Sequence, residues 1–368
     1  MSKYKFSLAT ERQEPSLREM ARNNPVLGRI SVSFEREPNF FCGANIGNKF
    51  RQVLVCNDSS DEKIIGIGMR SIFDAYINAS PVSCGYLSNL RISTQYRSQT
   101  ILARGYQFLH DLHRDSKTKL YLTSIISDNH YVKQILTSKR IGLPFYRDYG
   151  QYNSYLIPLS VARYRLREAG VTRAQDSDMP DVIECLQRNG KQKQFYPVYS
   201  HEDFKSENSF LKGFDSTDFF LAFRNNRIVG VMGMWDQRAF KQVIVRGYSS
   251  ALGRIRPLYN RVAQFWGGIR LPEVGSNLAI SYAFAIAIEN NEADIFEQLL
   301  AAVCKEAERR HFDYLAVGLH NRDSLCQVVK SVRHFLYTSN LYMVHWEDGI
   351  KEFNALDNRV PYLEIATL

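Results

Sequence analysis

The chain has 368 residues, a length that suits about two domains. Its hydrophobic fraction of 45% and aromatic fraction of 12% are enough for a packed core and exclude a disordered or low-complexity protein. The formal net charge of +9 is spread without a run of five or six like charges, so it favours an anionic cofactor and supports nucleic-acid binding only weakly.

The sequence of residues 1–160 predicts a succession of strands and helices. Alternating apolar residues indicate strands, and apolar residues at helical spacing after a cap or a proline indicate helices. In chain order we predict a strand at 4–9, a helix at 14–23, strands at 29–34, 49–57, 63–72 and 86–93, a helix starting at 100, a strand at 119–127, a helix at 131–140 and a strand at 152–159.

Residues 85–112, GYLSNLRISTQYRSQTILARGYQFLHDL, join a strand to a helix through a polar turn. Free backbone N–H groups and the positive end of the helix dipole meet Arg97 at this turn, an arrangement that favours anion binding. Ser98 or Thr100 is the expected helix cap. Most strand–turn–helix units bind no anion, and a single arginine is often a solvated surface charge, so the turn alone leaves both interpretations open.

The same stretch resembles the central motif of the GNAT acetyltransferase superfamily, in which a Gln/Arg-x-x-Gly-x-Gly/Ala turn holds the pyrophosphate of acetyl-CoA. Here the arginine matches, whereas Thr100 and Leu102 replace the two small residues. Leu102 therefore obstructs close approach of the pyrophosphate unless its side chain points into the core. The resemblance implies acetyl-CoA as cosubstrate, bound by Leu90, Arg91, Ile92, Arg97, Ser98, Gln99, Thr100, Ile101, Leu102 and Asn129.

Asn129 carries a second part of the resemblance. It starts the helix after the next strand and matches the family's Asn-x-x-Ala, with Val132 in the alanine position. In the family a backbone N–H at the end of the central strand holds the acetyl carbonyl, here near Leu90–Ile92, and the acceptor amine attacks directly.

Direct attack needs a base for the amine and an acid for the leaving thiolate. The family's acid is a tyrosine at the position of Leu136, so Tyr131 and Tyr146 are the substitutes, of which we choose Tyr146. Glu35 and Glu37 lie in the loop that the family uses on the acceptor side, and we choose Glu37 as the catalytic carboxylate. For each of these residues a packing tyrosine or a solvated acid is the alternative interpretation.

From about residue 161 the pattern repeats. We predict strands at 171–174, 219–223, 227–235, 281–288, 314–319 and 341–346, and helices at 182–189 and 293–310. The repeat indicates one fold twice, and with the resemblance it implies an α/β protein of two GNAT-like domains in tandem, 1–160 and 161–368, each a mixed central sheet flanked by helices. An additional segment at 251–277 is interpreted as a lid or a domain-contact loop.

The second copy's turn, IENNEAD at 288–294, has three acids and no base or glycine. Like charges would repel a pyrophosphate there, by on the order of 1 kcal/mol per pair even in water. We therefore expect only the first copy to hold acetyl-CoA, and the second copy to be structural or to form part of the acceptor pocket at the domain interface.

The remaining expectations concern compartment and alternatives. The charged start of the chain lacks a signal peptide's apolar core, no apolar run is long enough to span a membrane, and the six cysteines are scattered, so we expect a cytoplasmic protein with neither a metal site nor a membrane partner. The first hypothesis is an N-acetyltransferase for an unidentified amine. The alternatives are an aminoacyl-tRNA-dependent transferase, which the basic charge would suit, and a non-catalytic protein that kept the fold.

Overall fold

The computed structural model describes residues 3–26, 28–44, 47, 49–60, 62–96, 99–138, 142–162, 170–205, 209–265 and 270–368. The strands are β1 (Tyr4–Leu8), β2 (Ile30–Glu35), β3 (Phe50–Asp58), β4 (Ile64–Ile77), β5 (Ser80–Ile92), β6 (Tyr121–Ile126), β7 (Phe145–Pro158), β8 (Val171–Arg173), β9 (Lys193–Gln194), β10 (Tyr196–Pro197), β11 (Phe219–Arg224), β12 (Arg227–Asp236), β13 (Gln242–Tyr248), β14 (Ile280–Ile288), β15 (Tyr314–His320), β16 (Phe335–His345) and β17 (Val360–Pro361). The helices are α1 (Glu14–Asn23), α2 (Phe40–Ala44), α3 (Gln99–His113), α4 (His130–Leu136), α5 (Leu159–Ala162), α6 (Met179–Gly190), α7 (Ser250–Phe265), α8 (Ala293–Arg309), α9 (Cys326–Ser331) and α10 (Ile350–Asn354).

Within the described residues, 13 strands form one mixed sheet that runs through both halves of the chain. Its order is β1-β3-β4-β5-β6-β16-β7-β15-β14-β12-β11-β8, with β10 added to β4. The pairs β5–β6 and β14–β15 are parallel, and their neighbours in the sheet are antiparallel. The mixed α/β fold class predicted from the sequence is confirmed.

The two halves exchange strands at the centre of this sheet. The strand β16, from the second half, lies between β6 and β7 of the first half, and Ser339 pairs with Ile126. In return β7 pairs with β15, where Pro158 lies opposite Tyr314. The predicted boundary near residue 160 therefore separates halves that share hydrogen-bonded strands, and the division into two domains stays a prediction.

Local sequence explains the elements that matter for the site. The helix α1 has the predicted bounds because Pro15 fits its first turn and Leu17, Met20 and Ala21 form a buried face. The strand β14, ISYAFAIAI, is buried along its whole length, as expected for a central strand covered on both faces. Residues 251–277, interpreted from sequence as a lid or contact loop, instead contribute most of α7.

One close approach lies where the central strand β5 first pairs with β6. A Cβ atom on Gly85 would lie 2.1 Å from the Cδ1 atom of Tyr121, so the tyrosine ring occupies the space that a side chain would need. Tyr121 itself is fully buried. Among the described residues, no helix is long and apolar enough to cross a membrane.

Candidate active site

The central strand of the first half, β5, contains a bulge. Ser88 pairs with Met69 and Arg91 with Ile67, so the single residue between the partners faces two residues, Asn89 and Leu90. Asn89 has a φ of 53°, in the left-handed region that asparagine tolerates better than most residues. A bulge leaves its extra residue unpaired and locally disrupts the ladder of hydrogen bonds.

The central strand of the second half, β14, has the same bulge at the equivalent place. Phe284 pairs with Gly233 and Ala287 with Val231, which leaves Ala285 and Ile286 opposite one residue. The φ of Ala285 is 49°. An alanine in this region is strained and needs stabilising contacts around it.

Each bulge lies beside a fork between parallel strands. The strands β5 and β6 pair only at Gly85–Tyr121 and Tyr86–Leu122 before they separate. The strands β14 and β15 pair from Ile280–Tyr314 to Tyr282–Ala316 and then separate in the same way. The sequence repeat thus produces two equivalent forks, one in each half.

The second fork is filled by the chain's own residues 360–368. The N–H of Ala285 donates to the carboxylate of Glu364 at 2.9 Å, and the N–H of Ile286 donates to the hydroxyl of Tyr362 at 3.2 Å. Tyr152 holds the same segment by donating to the carbonyl of Leu363 at 2.7 Å. A bulge of this kind therefore binds oxygen atoms, and in the second half those atoms belong to the protein.

The first fork differs from the second in the groups that face its bulge. Asn89 and Leu90 occupy the positions of Ala285 and Ile286, yet no side chain in the described part of the chain accepts a hydrogen bond from either N–H. Tyr86 lies at the base of this fork, where its hydroxyl is 2.8 Å from the Oγ atom of Ser124 on β6. Within the described residues, the first fork therefore lacks the side-chain acceptors that occupy the second, and the hydroxyl of Tyr86 lies at its base.

A central cavity connects the two bulges. It is lined by Ser88, which precedes Asn89, and by Phe284, which precedes Ala285. Its volume is about 40 Å³, which is room for a few water molecules. The other lining residues are Arg36, Gly43, Gly47, Met69, Ser71, Phe73, Tyr86, Phe195, Pro197, Tyr199, Phe210, Leu211, Leu363, Glu364, Thr367 and Leu368.

Glu364 is the acidic residue of this cavity, and it is 3% exposed. Burial raises its pKa from 4.5 to about 7, although hydrogen bonds from Tyr362, Ala285 and Ala366 act in the opposite direction. A carboxylate with a pKa near neutrality can both accept and release a proton at physiological pH.

Tyr86 also lines this cavity. Burial raises its pKa to about 12, while its hydrogen bond with Ser124 acts in the opposite direction. The hydroxyl therefore keeps its proton at neutral pH and is available as a donor to a group on which negative charge develops.

The turn at the start of α8 is occupied by ion pairs within the chain. Arg188 donates to Glu289 and Arg224 to Glu292, both at 2.9 Å. Asn291 of the same turn donates to Asp323 at 2.7 Å. These contacts pair two of the three acids that the sequence singled out, Glu289 and Glu292, with arginines of the chain.

Three of the residues predicted to bind the cofactor lie along β5, and one starts α4. Leu90 is 46% exposed at the fork. Arg91 donates to backbone carbonyls at the end of α1, and Ile92 packs between α3 and the sheet. Asn129 caps α4 by accepting from the N–H of Val132 at 3.3 Å.

The predicted phosphate turn is described only in part. Residues 97–98 lie outside the described residues, and α3 begins at Gln99. Thr100 is exposed in its first turn, whereas Ile101 is buried. Leu102 packs into the cluster beneath α3, which is the orientation that keeps its side chain away from a ligand at the helix start.

The two predicted catalytic residues lie apart from the central cavity. Glu37 forms ion pairs with Arg18 and Arg22, the second at 2.8 Å. Tyr146 hydrogen-bonds to Tyr106, and burial raises its pKa well above 10. Neither residue lines the cavity within the described chain, and their catalytic roles stay predictions.

Sequence reasoning missed Tyr86 and Glu364. The sequence places Tyr86 only at the start of the predicted strand at 86–93, and its pairing with Ser124 depends on how β5 meets β6. Glu364 lies in the apolar segment YLEIATL. A single acid within such a segment is a signal of a buried carboxylate, because carboxylates are rarely buried without a structural or chemical reason.

No model of a known protein family and no curated protein sequence matches the chain. The chain is, however, similar to solved structures. N-myristoyltransferase of Saccharomyces cerevisiae with bound myristoyl-CoA aligns over 94% of this chain and 79% of its own, with a TM-score of 0.61 and 11% identity. A GCN5-related N-acetyltransferase of Sphaerobacter thermophilus aligns over 100% and 99%, with a TM-score of 0.57 and 9% identity.

A third similar structure is the GCN5-related glucosamine N-acetyltransferase region of a fungal multi-domain β-N-acetylglucosaminidase. It aligns over 94% of this chain and 38% of its own, with a TM-score of 0.61 and 10% identity. Identities this low establish the fold alone. The chain has the GNAT-like mixed α/β fold that its sequence motif implied.

Proposed function

We propose that this protein is an N-acyltransferase that transfers an acyl group from acyl-CoA to an amine in a ternary complex. The observation that carries the proposal is the difference between the forks. The two donors at Asn89 and Leu90 have no side-chain acceptor among the described residues, whereas the equivalent donors of the second half bind Tyr362 and Glu364. The similar solved structures include N-acyltransferases, which supports this class of reaction.

The first half is the proposed donor site. The thioester carbonyl would accept hydrogen bonds from the N–H groups of Asn89 and Leu90, which then stabilise the negative charge that develops on its oxygen. The pyrophosphate would lie at the start of α3, with Arg97, as the resemblance implies. Leu102 points into the core and leaves that approach free.

The central cavity is the proposed acceptor site, and Glu364 is the proposed base. Its pKa of about 7 matches the removal of a proton from an ammonium group near neutral pH. The amine nitrogen then bonds to the carbonyl carbon as the C–S bond breaks, and the nitrogen releases its second proton to solvent. Tyr86, at the base of the fork, would give its proton to the leaving thiolate and regain one from solvent.

Acetyl-CoA is the donor to test first. The cavity proposed for the acceptor has a volume of about 40 Å³, so the space that it shares with the acyl group beside Ser88 suits a short acyl group better than a long one. A longer acyl chain would have to displace lining side chains such as Phe73 and Phe195.

The test is thiol release from acetyl-CoA with a panel of amines, amino acids and peptides, corrected for release without acceptor. Tyr86→Phe and Glu364→Gln should each lower kcat, by about 10²–10⁴-fold for loss of a proton-transfer group. The exposed residues Tyr131 and Glu347 provide matched controls as Tyr131→Phe and Glu347→Gln, which should retain wild-type rates.

Two results would contradict the proposal. Acetyl-CoA could stabilise the protein without any amine being acylated, which would favour a non-catalytic binding protein. Alternatively, turnover could persist in both variants at the control rates, which would exclude Tyr86 and Glu364 from the reaction.

A further inference from the structure

The helix α7 carries apolar side chains on its outer surface. Ile255, Leu258, Tyr259 and Val262 are 54%, 67%, 42% and 50% exposed. Their spacing of three, four and seven residues places them along one face of the helix. A contiguous apolar stripe of this kind on a protein surface marks an interaction site.

The opposite face of α7 holds the helix to the protein through polar contacts. The side chain of Asn260 donates to the carbonyl of Leu271 at 2.9 Å and accepts from its N–H at 2.8 Å. Arg256 donates to the same carbonyl at 3.3 Å, and Ala263 is buried. The orientation of α7 is therefore fixed by specific contacts, with its apolar stripe directed outward.

The charge of α7 is uniformly positive. Residues 250–265 contain three arginines and no aspartate or glutamate. Arg254 and Arg261 are exposed and lie seven residues apart, four residues before and three residues after Leu258. The two arginines therefore lie along one edge of the exposed apolar stripe.

We propose that α7 docks the protein on the surface of an anionic phospholipid bilayer. A helix with an apolar stripe, a tyrosine at its edge and flanking arginines lies in the plane of such a surface, with the stripe inserted among the acyl chains and the arginines against the headgroups. Such a helix needs no spanning segment. This role differs from the expectation, drawn from the sequence, of no membrane partner.

The positive charge of α7 favours an anionic bilayer over a second copy of the chain as the partner of the apolar stripe. A symmetric contact through the same stripe would bring Arg254 and Arg261 of one copy close to those of the other, without any acid on α7 to compensate. An anionic bilayer instead attracts each arginine. The proposal does not depend on the proposed acyltransfer function, because it uses no residue of the central cavity.

The test is co-sedimentation of the full chain with phosphatidylcholine vesicles, with and without one-third phosphatidylglycerol. Wild type should bind the anionic vesicles and lose binding when NaCl is raised from about 0.1 M to about 0.5 M, because salt screens the arginines. Removal of both charges, by Arg254→Gln and Arg261→Gln together, should weaken partitioning about 25-fold, or about fivefold per arginine.

Leu258→Glu tests the apolar stripe and should abolish binding without changing Tm, because the side chain is 67% exposed. The matched control is Val82→Glu, at an apolar residue 45% exposed on β5, which should bind as wild type does. No binding of wild type to anionic vesicles would overturn the proposal, as would equal binding by Leu258→Glu. Self-association that Leu258→Glu abolishes, without vesicle binding, would assign the face to a second copy and also overturn it.

Discussion

Replacing Glu364 by glutamine should change the pH dependence of stability. The raised pKa means that the folded state prefers the protonated carboxyl. The stabilising contribution is therefore fully present below 4.5, the pKa of the unfolded chain, and is lost as the pH rises through about 7. Glutamine is neutral at every pH and keeps an oxygen that can accept from the N–H of Ala285.

The expected magnitude follows from the two pKa values. Between pH 5 and pH 8, a shift from 4.5 to about 7 costs wild type on the order of 2.5 kcal/mol relative to a residue that does not titrate. With roughly 2.1 cal/mol/K of unfolding entropy per residue, each kcal/mol changes Tm by about 1.3 °C for a chain of this length. The Tm of Glu364→Gln relative to wild type should therefore rise by about 3 °C between these two pH values.

The assay is thermal unfolding of both proteins at intervals of one pH unit from 5 to 9, in buffers of equal ionic strength. Glu347→Gln, at an exposed glutamate, is the control and should track wild type throughout. A difference between Glu364→Gln and wild type that is constant with pH would refute the reasoning, because it would show that the carboxylate titrates alike in the folded and unfolded chain.

Two further substitutions test the packing that positions the forks. Gly85→Ala should destabilise the protein by about 1–3 kcal/mol in urea unfolding, because the new Cβ overlaps the ring of Tyr121. The control is Gly68→Ala, which should not change the stability because no atom lies within 4 Å of its Cβ, and equal effects of the two substitutions would contradict this assignment. Asp115→Asn should destabilise by about 3 kcal/mol or more, because it removes the carboxylate that accepts two 2.8 Å hydrogen bonds from the fully buried Arg70, and a loss below 1 kcal/mol would show that the pair contributes little.

Local pattern was sufficient to predict most elements of this fold. The helix α1 has the predicted bounds of 14–23, and β14 and α8 begin and end within one residue of their predictions. These segments have strong periodicity and clear start signals, so their structure is determined by nearby residues.

The exchange of β7 and β16 was not predictable in the same way. Both strands have ordinary alternating patterns, and such a pattern does not show which of several apolar strands will pair with a given strand in the sheet. The pairing of Ser339 with Ile126 depends on contacts more than 200 residues apart in the chain. The helix α7 was missed because Pro257 and the surrounding glycines and arginines indicated a loop.

The candidate site was predicted at the level of the strand and not of the reacting groups. Leu90 and its neighbours on β5 lie at the first fork, and their predicted role in cofactor binding stays a prediction. The oxygen atoms that bind the second bulge belong to Tyr362 and Glu364, which lie 76 and 79 residues further along the chain than the residues they bind. Such a long-range contact has no local signature, and it is what distinguishes the two forks.

The most direct test of the proposed donor site is backbone hydrogen exchange with and without acetyl-CoA. Donation from Asn89 and Leu90 to the thioester carbonyl should slow exchange in β5 near these residues. The equivalent amides of Ala285 and Ile286 already donate to side chains, so exchange in β14 should not change. Protection confined to β5 is the expected result. No protection in β5 at millimolar acetyl-CoA, or protection in β14 instead, would contradict the assignment of the first half as the donor site.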